Sequence, residues 1–199
     1  MLSWRRFRRE FVTVAVSIAA VFSARSSLAD HYYVPSGSML PTVHVDDRVF
    51  VNKLAYGVRV PFFDLYALNL TRPAHGDVVV LTSPEDRVTL LKRVVAVPGD
   101  RVTVSEGQLQ LNGRSVPIST REGETLEQLG NHAHGLDLDY GGGPTFGPVL
   151  VPAGQFLVLG DNRGNSHDGR MFGFVRMDSI IGRASGVFFR DGRVTWIGL

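Results

Sequence analysis

Ser38 lies in the run Val34-Pro35-Ser36-Gly37-Ser38-Met39-Leu40-Pro41-Thr42, and Lys92 in Val88-Thr89-Leu90-Leu91-Lys92-Arg93-Val94-Val95-Ala96-Val97. A serine hydroxyl attacks a carbonyl well only when a base takes its proton, and lysine is such a base only when neutral. A free lysine, with a pKa of about 10.4, is almost wholly charged at pH 7. Burial removes that obstacle, because desolvation penalises the ammonium and can bring a fully buried lysine down to roughly 5–6. The valines and leucines flanking Lys92 suit such burial, so the pair makes the chain a candidate serine–lysine hydrolase.

Lysine is scarce elsewhere. Of 21 Lys and Arg residues 19 are arginine, and the lysines are Lys53 and Lys92. Arginine cannot give up its proton in practice, which gives a lysine inside an apolar run a chemical reason to be there. Lys53 reads as a solvated residue at a strand end. Lys92 taken alone reads equally well as a snorkelling strand lysine, and the presence of Ser38 changes that balance.

The elements that must position these side chains are strands. Runs at 48–52, 77–82, 88–97, 101–105, 108–111, 155–159, 184–189 and 194–197 are rich in β-branched and apolar residues and are bounded by Gly, Pro, Asn and Asp. Glu106-Gly107, Asn112-Gly113 and Asp191-Gly192 have the composition of tight hairpin turns. Long amphipathic helical stretches are scarce, so the expected fold class is mainly β, an antiparallel catalytic domain with a smaller inserted β subdomain. The polar, glycine-rich composition of residues 103–152 marks the insertion, which leaves 31–102 and 153–199 as the catalytic β domain.

Residues 1–30 differ from the rest. Arg5, Arg6, Arg8 and Arg9 precede an uncharged stretch, 11–24, that ends at Arg25. This pattern predicts a membrane helix with its N-terminus in the cytoplasm and a single pass. Fourteen residues reach only about 21 Å as a helix, short of the ~30 Å hydrocarbon core, so Arg25 must snorkel or the bilayer must thin. A cleavable signal is the alternative, with Ser27-Leu28-Ala29 as its small-residue end and Arg8-Arg9 as a weak twin-arginine element. Either way the body is exported. The net charge of +2 and the dispersed basic residues give no support to nucleic-acid binding, and the absence of cysteine removes disulfides and thiolate metal sites.

The ordered segments 35–42, 47–53, 76–80, 92–100 and 160–175, the last carrying Gly160-Asp161-Asn162-Arg163, Ser166, Asp168, Arg170 and Gly173-Phe174-Val175, resemble the boxes of bacterial type I signal peptidases. That resemblance covers the chain from about residue 30 to its end. It implies a serine endopeptidase of the bacterial inner membrane, with its catalytic domain on the periplasmic or extracytoplasmic side. The substrates implied are preprotein signal peptides cut after small-x-small sites, and the partners also include membrane lipid and a nearby secretion translocon. No cofactor or metal is implied.

Under that resemblance Ser38 attacks the scissile carbonyl, Lys92 takes and returns its proton, and an acyl-enzyme forms. The Ser38 amide and the Ser36 hydroxyl would hold the oxyanion. Ser166 would orient Lys92, while Asp161, Asp168, Arg170 and Arg93 would form supporting ion pairs, Arg93 with Asp161. Val34 and Leu91, helped by Val43, would line shallow apolar pockets. Tyr32, Tyr33, Met39, Phe62 and Phe63 read either as core or as a lipid-facing set.

Other readings remain open from the residues alone. A serine–histidine–carboxylate triad could use His31, His44, His75 or His167, though none has an informative local motif. His132, His134, Asp137 and Asp139 resemble a small metal cluster, but their glycine-rich, polar setting reads better as solvated loop. The segment 161–165 hints at a calcium loop without EF-hand spacing. At the level of function, the alternatives are a specialised serine–lysine maturation protease with a narrow substrate and a non-enzymatic anchored β interaction module.

Overall fold

The computed structural model describes residues 4, 7–14, 16, 17, 29–59, 66–130 and 132–199. Its strands, in chain order, are β1 (Ala29–Tyr33), β2 (Arg48–Asn52), β3 (Gly57–Arg59), β4 (Tyr66–Asn69), β5 (Val78–Thr82), β6 (Thr89–Ala96), β7 (Arg101–Ser105), β8 (Gln108–Leu111), β9 (Arg114–Ser115), β10 (Ile118–Arg121), β11 (Glu124–Leu129), β12 (His132–Gly135), β13 (Phe146–Leu150), β14 (Gln155–Leu159), β15 (Val175–Arg176), β16 (Ile180–Arg190) and β17 (Arg193–Gly198).

Alternation along β2 buries Val49 and Val51 and turns Arg48 and Phe50 outward, as a strand with one covered face requires. The central strands are different. All of β5 except its last residue is buried, and so is β6 from Lys92 onward, because both faces of the sheet are covered there. Val78 and Val80 pack with Val34, Met39, Val43 and Val49 on one side, while Val79 and Leu81 pack with Tyr56, Phe156 and Ile180 on the other. The main sheet runs β1-β2-β16-β5-β6-β14-β15, with β17 also on β16, and every pairing is antiparallel.

Residues 101–150 build two further antiparallel sheets, β13-β7-β8-β9 and β10-β11-β12. Val102, Val104 and Leu109 share a core with Val95, Leu157 and Leu159 of the main sheet and with Leu129 of β11. The hairpin turns fall where the sequence places them. Both residues of Glu106-Gly107, Asn112-Gly113 and Asp191-Gly192 have positive φ, the geometry that follows the right-handed twist of the flanking strands.

Several elements extend past the sequence reading. The last long strand starts at Ile180 rather than 184, since Gly182, which interrupts the apolar pattern, sits where a Cβ would be 2.7 Å from the Asn52 carbonyl oxygen. The strand expected over 88–97 spans Thr89–Ala96. At the N-terminus, residues 7–14 are helical and exposed, and among the described residues no helix is long and apolar enough to cross a membrane. Most of the expected anchor beyond residue 17, Arg25, the segment 27–28, and Phe62 and Phe63 lie outside the described residues.

Candidate active site

After β1 the chain turns back sharply. Leu40 N–H donates to the Gly37 carbonyl (3.1 Å) and Val43 N–H to that of Met39 (2.9 Å), while Met39 and Val43 are buried as anchors. Ser38 is thereby held at the rim of the sheet. Lys92 comes from the middle of β6, opposite Val79 of β5. Strand β14 pairs with β6 only from Arg93 onward, so among the described residues β6 has no strand on that side at Leu90 and Leu91. The open edge faces a cleft of about 270 Å³ whose lining includes Val34, Ser36, Ser38, Met39, Leu91 and Lys92.

At the closed end of this cleft Lys92 Nζ lies 2.6 Å from Ser38 Oγ, and Lys92 is 3 % exposed. Burial pushes the lysine down to about 8, against the Asp168 and Asp161 carboxylates, which raise it, and with a smaller lowering from Arg170. Those carboxylates explain why Lys92 stays above the 5–6 reached by isolated buried lysines. At pH 7 about a tenth of the molecules would carry a neutral lysine.

Behind the pair lies a buried ionic layer. Arg93 points to the opposite face of β6 from Lys92 and donates to both oxygens of Asp161, Nε at 2.8 Å and Nη2 at 2.7 Å, and Thr42 Oγ1 adds a bond at 2.6 Å. Arg170 donates to Asp168 through Nε and Nη2, both at 2.8 Å, and Gly160 N–H donates to the same carboxylate at 3.0 Å. Burial alone would raise both carboxyls, but Arg93 on Asp161 and Arg170 on Asp168 hold them below the usual range. Asn162 N–H donates to the Ser38 carbonyl at 3.2 Å, which ties this layer to the serine turn.

The remaining expected site residues are placed as follows. Ser36 is exposed and lines the cleft, and the Ser38 amide makes no hydrogen bond among the described residues. Ser166 Oγ is buried and makes none either, so its expected bond to Lys92 is not formed in this structure. Val34 and Leu91 line the cleft, whereas Val43 does not: it is wholly buried in the core beneath the serine turn, pulled there by packing against Met39 and Val49.

The rival constellations are drawn elsewhere. His75 pairs with Asp100 (2.6 Å), His167 with Glu85 (2.7 Å), and His31 packs edge-on to Phe188. Lys53 pairs with Asp30 at 2.9 Å. Both oxygens of Asp161 are taken by Arg93, and among the described residues no group of three or more His, Asp and Glu side chains is arranged to hold a metal ion. The expectation of solvated residues at 132–139 is corrected at His134, which is 6 % exposed, while His132 and Asp139 are exposed. Sequence reasoning missed Thr42, Glu127, His134 and Arg163 as parts of the buried layer. Glu127 and Arg163 are 36 residues apart, and nothing in either local pattern signals the bond between them.

The family described as signal peptidase, peptidase S26, matches residues 7–189. A signal peptidase I of Pseudomonas fluorescens is 37 % identical over 192 residues, covering 84 % of this chain and 67 % of that protein. Signal peptidase I T of Bacillus subtilis is 33 % identical over 181 residues, covering 89 % of this chain and 82 % of that one. A crystal structure of a signal peptidase I from Enterococcus faecalis is 28 % identical and covers 58 % of this chain and 98 % of that one, with a TM-score of 0.39. The chain belongs to the signal peptidase, peptidase S26 family, and is a peptidase and hence a hydrolase.

Proposed function

We propose that this protein is a membrane-bound serine endopeptidase that removes signal peptides from exported preproteins, with Ser38 as nucleophile and Lys92 as its general base. The observation that carries this is the 2.6 Å approach of Lys92 Nζ to Ser38 Oγ at the end of an apolar cleft. In the neutral state of Lys92 the hydrogen bond reverses, and the serine O–H donates to Nζ. Attack on the scissile carbonyl then delivers the proton to Nζ, which passes it to the leaving amine, and the acyl-enzyme is hydrolysed by a water that Lys92 activates in turn.

The unpaired Ser38 N–H and the exposed Ser36 hydroxyl are available to the tetrahedral oxyanion, each worth roughly 2.7–4 kcal/mol by analogy with other oxyanion donors. A substrate in extended form can pair with the open edge of β6 and place alternate side chains against Val34 and Leu91. Ser166, whose buried hydroxyl has no hydrogen-bond partner among the described residues, is the residue assigned to orient Lys92. Residues 31–102 and 153–199 form the catalytic unit and 103–152 an inserted one. The basic N-terminus and following apolar stretch anchor it to the bacterial inner membrane, with the catalytic unit on the outer side near lipid and the translocon. Full-length protein in detergent should cleave a secretory preprotein after a small-x-small site, as read from the N-terminus of the product. Ser38→Ala and Lys92→Ala should each abolish cleavage while remaining folded, and full activity in either would refute the assignment.

A further inference from the structure

His134 is a buried imidazole, and among the described residues neither ring nitrogen has a well-directed hydrogen bond. Such a group is costly to bury, so its neighbours matter. Nε2 lies 3.3 Å from Glu127 Oε2, across the β11–β12 hairpin, and 3.7 Å from Asp161 Oδ1, in the segment that follows β14. Glu127 is also held by both terminal nitrogens of Arg163, and Asp161 by Arg93 of β6. The imidazole thus sits between two carboxylates that the guanidinium groups of Arg163 and Arg93 hold in place.

The same hairpin touches the serine turn directly. A Cβ on Gly135 would lie 2.5 Å from Pro41 Cγ, which leaves no room for a side chain between β12 and the turn that carries Ser38. Beyond it, Asp137 N–H donates to the Asp161 carbonyl (2.9 Å) and Arg163 N–H to that of Asp137 (3.0 Å). Asn162, next to Asp161, holds the Ser38 carbonyl. The inserted hairpin thus reaches the nucleophile by two routes, one ionic and one steric.

We propose that the β11–β12 hairpin is a working part of the active site, with His134 as a positioning residue that fixes the Asp161–Asn162 segment, and through it Ser38, against the cleft. The inference rests on the Ser38–Lys92 assignment.

The test measures kcat and KM for preprotein cleavage by full-length protein in detergent, from pH 5.5 to 8.5, for the wild type and for Ser38→Ala, His134→Gln and Gly135→Ala. His134→Gln should lower kcat by about tenfold, the scale of a sub-ångström misplacement, with KM changed by less than about twofold. Gly135→Ala should lower kcat by about as much at every pH. A His134→Gln enzyme with wild-type kcat, or a loss of kcat no larger than the loss of folded protein, overturns the inference. Where His134→Gln fails to fold, Gly135→Ala decides, and folded protein with wild-type kcat overturns it. A wild type that does not cleave, or a Ser38→Ala variant that does, overturns instead the assignment beneath it.

Discussion

Replacing Lys92 by methionine should make the protein inactive and more stable. Lys92 is 3 % exposed, and its folded-state value of about 8 lies well below the ordinary 10.5. At about 1.36 kcal/mol for each tenfold change in proton affinity, the fall corresponds to roughly 3 kcal/mol of unfavourable interaction that the charged lysine carries at pH 7. Methionine keeps the apolar stem and removes the charge. Its loss of the bond to Ser38 returns about 1 kcal/mol, so the expected net gain at pH 7 is about 2 kcal/mol. The sign with pH follows from the proton count. Between about 8 and about 10.4 the unfolded lysine is protonated and the folded one is not, so wild-type stability from this group rises with pH across that window. The gap between Lys92→Met and wild type should therefore be constant below about pH 8, close near pH 9.5 and reverse by about 1 kcal/mol toward about pH 10.4. Urea denaturation of both proteins at pH 7 and pH 9.5, followed by tryptophan fluorescence, measures it. Lys92→Met less stable than wild type at pH 7, or a gap that does not narrow with pH, would refute the claim that burial depresses this lysine.

Asp161→Asn should lose about 3–5 kcal/mol in the same denaturation assay, because it leaves the Arg93 guanidinium buried without its counter-charge. It should also move the rise of activity with pH to lower pH, since Asp161 raises Lys92, and a move to higher pH counts against the electrostatic account. Gly160→Ala should reduce cleavage by more than about a hundredfold with circular dichroism unchanged, because a Cβ there would strike both Ser166 Oγ and the Ser38 carbonyl oxygen. Leu91→Trp should raise KM for a substrate with alanine at its cleavage site by about tenfold or more by filling the cleft, and an unchanged KM would show that the substrate does not lie there.

What the sequence made legible was local. Strands at 48–52, 101–105, 108–111 and 155–159 coincide with those observed, since each carries its own pattern and bounding turn residues. Ser38 and Lys92 stand out because each sits in a local setting that suits its chemistry. The strands β1 and β10–β12 were not legible. Their polar and apolar residues do not alternate cleanly; β10–β12 are consecutive hairpins, whereas Ala29 to Tyr33 gain strand form by pairing with Asn52 to Arg48. The buried layer was hidden because part of it comes from far along the chain: His134 looks like a loop residue until Asp161 lies beside it, and Glu127 until Arg163 does. Val43 erred the other way, since adjacency to the serine turn says nothing about which side of the sheet a valine takes.

The central claim is that Ser38 attacks with Lys92 as its base, and the pH dependence of Ser38 acylation by a serine-reactive penem tests it most directly. Intact mass should show one adduct, mapped to Ser38, formed at a rate that rises with pH and levels above about 8, and absent from Ser38→Ala and Lys92→Ala. An adduct on another residue, or a Ser38 adduct formed at the same rate at pH 6 and pH 9, would contradict it.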